Sequence, residues 1–189
     1  MHLPRLLLTT CLLSLPTSAT VTFILTPDPL IFGLPGATLG WGFSLTNDTN
    51  YIEITSAQFC QNPVSFPACS VSTLGVFTDF ISGFNNIIVG PNGGTLPSTV
   101  SQAFNLAGST GVGSFTIDPL VPLNSFNLGQ IVLTYNVFDA DPNNFAANLL
   151  SVDQIVSAET EIFATDPEPG TFFVGFAVLA LALVRSRRA

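Results

Sequence analysis

The sequence predicts an all-β fold: an antiparallel β-sandwich with one short helical turn, plus an N-terminal signal peptide and a C-terminal transmembrane helix. Three observations predict it. Apolar and polar residues alternate at period two in several short runs through the middle of the chain. Gly (15 residues) and Pro (14), together with Asn, Ser and Thr, separate those runs at short intervals. Each end of the chain carries an apolar stretch beside arginine.

The first segment is residues 1–19. Arg5 precedes an apolar run that begins at Leu6 and ends at Pro16, and Thr17-Ser18-Ala19 supplies the small residues that a signal peptidase reads. Cleavage is expected after Ala19. Cys11 lies inside the run and lacks the small residue that lipid attachment requires before it.

Residues 20–165 form the expected exported domain. Val21-Thr22-Phe23-Ile24-Leu25 opens it with β-formers. Trp41, Phe43 and Leu45 share one face of a run at 40–46, and Ile52 and Ile54 share one face of a run at 51–55. Asn47-Asp48-Thr49-Asn50 between them has turn chemistry, so the two runs are expected to form a β-hairpin. Further strands are expected at 86–89, 99–105, 113–117, 130–138 and 156–164. In the last, Val156, Ala158, Thr160 and Ile162 fall on one face, with Ser157, Glu159 and Glu161 on the other, the pattern of a strand with one wet side. Phe77, Phe80, Ile81 and Phe84 are spaced as on a helix, which predicts a short helical turn over 78–83. Seven to eight short strands joined by turns suggest the sandwich.

Charge narrows the function. Residues 20–169 hold all twelve acids and no Lys, Arg or His, a side-chain charge of −12, whereas the whole chain carries −8. Such a surface repels nucleic acid, because phosphate binding depends on Lys and Arg. The same span offers no histidine for general-base work, no lysine for a Schiff base and no arginine to clamp a phosphate, so no enzyme activity is expected. Catalysis by carboxylates alone stays conceivable in principle. Glu159 and Glu161 point the same way, at about 7 Å from the strand rise, but nothing around them suggests a cleft.

The final segment, residues 166–189, is the most distinctive. Pro167-Glu168-Pro169 cannot be helix interior and makes a stiff, extended grip for an enzyme. An apolar stretch follows at 171–184, about 21 Å long as a helix, and Arg185, Arg187 and Arg188 close the chain. Arginines after an apolar span keep that end cytoplasmic and the acidic domain outside. In order and position these features resemble the PEP-CTERM sorting signal of Gram-negative bacteria. The resemblance covers about the last 24 residues. It implies recognition of Pro167, Glu168 and Pro169 by an exosortase, a membrane-embedded cysteine transpeptidase-like enzyme, with processing nearby. It also implies transient membrane anchoring, then residence at the cell surface or in the extracellular matrix of a host that makes exopolysaccharide. An ordinary single-pass anchor without processing is the alternative. Runs such as those at 39–47 and 129–135 look like the exterior domains of other proteins with this signal, which supports the fold class.

Candidate sites remain in the domain. Cys60 and Cys69 are the cysteines left after the signal segment, and export to an oxidising compartment favours a disulfide between them. A catalytic thiol or a zinc site would need imidazole or further sulfur, which the span lacks. Asp139, Asp141 and Asn143 are alternate oxygen ligands on a turn and are candidates for Ca²⁺. Asn144 and Leu150 stand where an EF-hand loop needs Gly and Glu, so that motif fails; the same residues read equally as a solvated turn. Trp41 and Tyr51 are either core residues or platforms for a sugar. Asn47-Asp48-Thr49 matches a glycosylation sequon. The sequence therefore supports a non-enzymatic exported protein, structural or adhesive in the exopolysaccharide layer, with a Ca²⁺-dependent carbohydrate-binding module as the alternative.

Overall fold

A computed structural model describes residues 20–62, 69–82 and 86–165. Among these residues there are ten strands and no helix. In chain order they are β1 (Val21–Thr26), β2 (Leu30–Gly33), β3 (Thr38–Asn47), β4 (Tyr51–Gln61), β5 (Gly75–Asp79), β6 (Ile87–Val89), β7 (Thr99–Gln102), β8 (Gly113–Ile117), β9 (Ser125–Phe138) and β10 (Leu149–Ala164). They form two five-stranded sheets. The first runs β1-β3-β8-β5, with β7 beside the second half of β3. The second runs β2-β10-β9-β4-β6.

The alternation read from the sequence sets which side chains meet between the sheets. Trp41, Phe43 and Leu45 of β3 and Phe115 and Ile117 of β8 are fully buried on one side. Ile52 and Ile54 of β4 with Ile131 and Leu133 of β9 are buried on the other. Phe59 of β4 meets Phe115 of β8 edge to face, ring centroids 5.5 Å apart, which joins the two sheets across the core. A polar tie complements this contact. The carbonyl of Pro29, just before β2, accepts hydrogen bonds from Trp41 Nε1 (3.2 Å), from the Thr160 hydroxyl and from the Glu161 amide. One carbonyl is thereby bonded to β3 in the first sheet and β10 in the second, in a part-buried position where all three donors find an acceptor.

Gly111 shows why a glycine stands beside the core. Its φ is +100°, and a Cβ there would lie 2.5 Å from the Trp41 carbonyl oxygen. Any side chain would push the loop before β8 off β3.

The structure corrects three expectations. The runs at 40–46 and 51–55 do not form a hairpin, because β3 and β4 lie in different sheets. β1 already occupies one edge of this half of β3 and β7 the other, so no ladder position is left for β4. The connection is an arch. The Asn47 side chain turns inward and its Nδ2 donates to Asn50 O (2.8 Å) and Gly90 O (3.2 Å). The sandwich is also not wholly antiparallel, since β2 pairs parallel with β10.

Finally, no helical turn forms at Thr78–Ser82. Thr78 and Asp79 end β5, which pairs with β8. The Asp79 carboxylate then accepts from the amides of Ile81 (2.7 Å), Ser82 (3.3 Å) and, across to β4, Ala57 (3.1 Å). That Asx-type turn carries Ile81 into the core without helix. The remainder of the expected turn, with Phe84, lies outside the described residues.

Candidate functional site

The segment with the clearest functional expectation starts where β10 stops. Thr165 donates its amide to Gly33 O (3.0 Å), and the Pro-Glu-Pro motif follows. Pro167, Glu168, Pro169, the apolar stretch and Arg185, Arg187 and Arg188 lie outside the described residues, as does the N-terminal segment 1–19. The structure describes the end of the domain that presents the tail.

Two loops meet beside that exit. The β2–β3 loop is tied to β8 by Gly36 N donating to Ile117 O (3.0 Å). The β8–β9 loop is tied to the end of β10 by Asn124 N donating to Ala164 O (2.7 Å). Asp118 shapes this second loop: its carboxylate accepts from Leu120 N (2.8 Å) and its carbonyl from Val121 N (3.1 Å). In this turn Val121 packs against the core while Leu120 and Leu123 face outward. Leu120 is 89% exposed, and Leu123 and, on the first loop, Leu34 are about half exposed.

Above these loops, on the outer face of the second sheet, three phenylalanines stand in register. Phe32 of β2 pairs with Phe163 of β10, which pairs with Phe126 of β9. Their rings stack at centroid distances of 5.1 and 5.9 Å. Leu30 and Leu128 flank Glu161 in the next row. Sequence reasoning missed this cluster. β2 is too short to show alternation, and the three phenylalanines are far apart along the chain. The visible signal was that Phe163 shares the outward parity of Glu159 and Glu161.

The other candidates are dispersed. Cys60 and Cys69 form the expected disulfide, with Cα atoms 4.7 Å apart. The bond secures the end of β4 to the segment whose Ser70 bridges back to Gln61. Cys60 itself is fully buried.

Asp139, Asp141 and Asn143 share the loop that joins β9 to β10, but its own donors engage the carboxylates. Asp139 accepts from the Asn148 amide and side chain (both 2.7 Å), which holds its carboxyl below the usual range. Asp141 accepts from the Asn143 amide (2.9 Å) and side chain (3.2 Å). This arrangement closes a turn with Asx hydrogen bonds. Among the described residues no group of three or more His, Cys, Asp or Glu converges as metal ligands would.

Trp41 belongs to the core, and Tyr51 is half-buried with its hydroxyl 3.1 Å from Thr95 Oγ1. Neither is as exposed as Phe32 or Phe126 of the phenylalanine row. Asn47 of the sequon is 1% exposed, so its amide is out of reach of a transferase. Glu159 and Glu161 lie on the outer face of β10, the first exposed and the second half-exposed. Two shallow recesses flank β5, of about 330 and 240 Å³, and neither holds a pair of carboxylates. No protein-family model and no curated protein matches the chain.

Proposed function

We propose that the chain is an exported, non-enzymatic protein of the cell surface or extracellular matrix, delivered by its C-terminal sorting signal and displaying an acidic β-sandwich. The observation that carries this is the ordered succession of Pro167-Glu168-Pro169, an apolar stretch and Arg185, Arg187 and Arg188, behind a domain that holds no other cation. An exosortase would grip the Pro-Glu-Pro segment while residues 171–184 hold the chain in the membrane, with the arginines on the cytoplasmic side. Signal peptidase would act after Ala19. The Cys60–Cys69 bond supports residence in an oxidising compartment.

The non-enzymatic reading draws support from the chemistry of the domain. Residues 20–165 lack His, Lys and Arg, and of the carboxylate pair on β10 Glu159 is exposed while Glu161 is half-exposed between Leu30 and Leu128. A structural or adhesive role in an exopolysaccharide layer fits a rigid, highly anionic display domain. Replacing Pro167, Glu168 and Pro169 with alanine should leave the mature mass larger and the protein retained with the membrane fraction. Unchanged mass and location, read by mass spectrometry of fractionated cells, would refute sorting.

A further inference from the structure

We propose that the tail-proximal end of the sandwich rests on the lipid surface: Leu34, Leu120 and Leu123 enter a zwitterionic phospholipid interface, and Phe32, Phe126 and Phe163 lie along it. This rests on the reading that residues 171–184 cross the membrane. Only residues 166–170 separate the end of the domain from that stretch. The six steps from Thr165 to Thr171 span at most about 22 Å at roughly 3.3–3.6 Å each, so the exposed leucines are held within reach of the headgroups. Tethering makes a weak contact intramolecular, so even a modest apolar surface suffices to seat the domain.

The loop is built for that environment. Leu120, Val121, Asn124 and Ser125 donate their amides within the domain, and Pro119 and Pro122 have no N–H to satisfy. Leu120 and Leu123 can therefore leave water with few unpaired donors following them. Charge selects the lipid. Asp118 and Glu161 lie beside the leucines and phenylalanines, and no cation exists in residues 20–165 to attract anionic headgroups.

Apolar exposure alone does not define the surface. Phe145 is fully exposed and Leu149 and Leu150 are half exposed at the opposite end of β10. That strand has 16 residues, so the two ends stand roughly 50 Å apart at about 3.3 Å per residue. Only one end lies next to the tail.

The test uses the full chain in phosphatidylcholine vesicles with brominated acyl chains, carrying Leu120→Trp or, as the far-end control, Phe145→Trp. The native Trp41 is fully buried and contributes a constant background. Side chains seated about 5–10 Å into the interface come within reach of the bromines, so Leu120→Trp emission should shift to the blue and fall by roughly half, while Phe145→Trp stays unchanged. Replacing part of the lipid with phosphatidylglycerol should weaken the quenching of Leu120→Trp. If the chain floats with the vesicles and both tryptophans are equally unquenched, the seating is wrong and the anchor stands. A blue shift without quenching means that protein covers this end, from a second copy or the tail, and also overturns the proposal. A chain that fails to float removes the anchor and the proposal together.

Discussion

Reducing the Cys60–Cys69 bond leaves every side chain in place and removes one constraint. Its effect can be worked out from chain entropy. Closing a loop across a separation of nine residues restricts the unfolded chain by about 2.6 kcal/mol at 25 °C. The native state should change little, because Gln61 and Ser70 still bridge and Cys60 stays buried. In urea, with a slope near 2 kcal/mol/M, the midpoint should fall by roughly 1.3 M when a reductant is present. The melting temperature should fall by roughly 5–10 °C for a domain of this size. The slope itself should rise, since the reduced unfolded chain is more expanded and exposes more surface. Equilibrium unfolding followed by circular dichroism, with and without reductant, measures all three. A midpoint shift below about 0.3 M with an unchanged slope would refute an unfolded-state origin.

Two further outcomes are expected. Thr160→Val removes one of the three donors to the Pro29 carbonyl at nearly constant volume; the carbonyl keeps Trp41 and the Glu161 amide, so the loss should be about 1 kcal/mol by urea titration. A loss above about 3 kcal/mol would show that the hydroxyl also fixes the Pro29 carbonyl where Trp41 reaches it from the other sheet. The carboxyls of Asp48, bonded by the Thr20 amide, and Asp139, bonded by Asn148, lie below the ordinary value of 3.8 in the folded state. Lowered folded values mean stability that is present above the unfolded value and lost as pH falls through the folded one. The melting temperature should therefore be flat down to about pH 4 and drop below it, and Asp139→Asn should make that drop shallower. An unchanged acid slope in this variant would contradict the assignment.

Alternation made the buried faces of β3, β4 and β10 legible: Trp41, Phe43 and Leu45, then Ile52 and Ile54, then Thr160 and Ile162 all point inward as expected. Period two distinguishes inside from outside, but not one sheet from the other. A hairpin and an arch leave the same trace around Asn47-Asp48-Thr49-Asn50. What decides between them is that β1 and β7 fill the edges of β3, and those partners are distant in sequence. β5 was hidden because Phe77, Phe80 and Ile81 have helical spacing, while the Asp79 carboxylate makes a non-helical turn reach the same burial. β2 was hidden by its four-residue length. The disulfide was legible because residues 20–165 hold two cysteines with one choice of partner. The phenylalanine row was not, because register between β2, β10 and β9 is set by tertiary pairing rather than by local pattern.

Among the paired strands of the described residues, β9 and β10 alone are neighbours in sequence, and every other ladder closes a longer loop. β10 makes the last of these closures, taking β9 on one edge and β2 on the other. A chain threaded outward from its N-terminus would hold its second sheet unfinished until this strand emerged. One residue, Thr165, separates the strand from the start of the tail at Asp166. Completion of the fold and arrival of the Pro-Glu-Pro segment would then be nearly the same event, and under the sorting proposed above the processing enzyme would meet a domain that had only just closed.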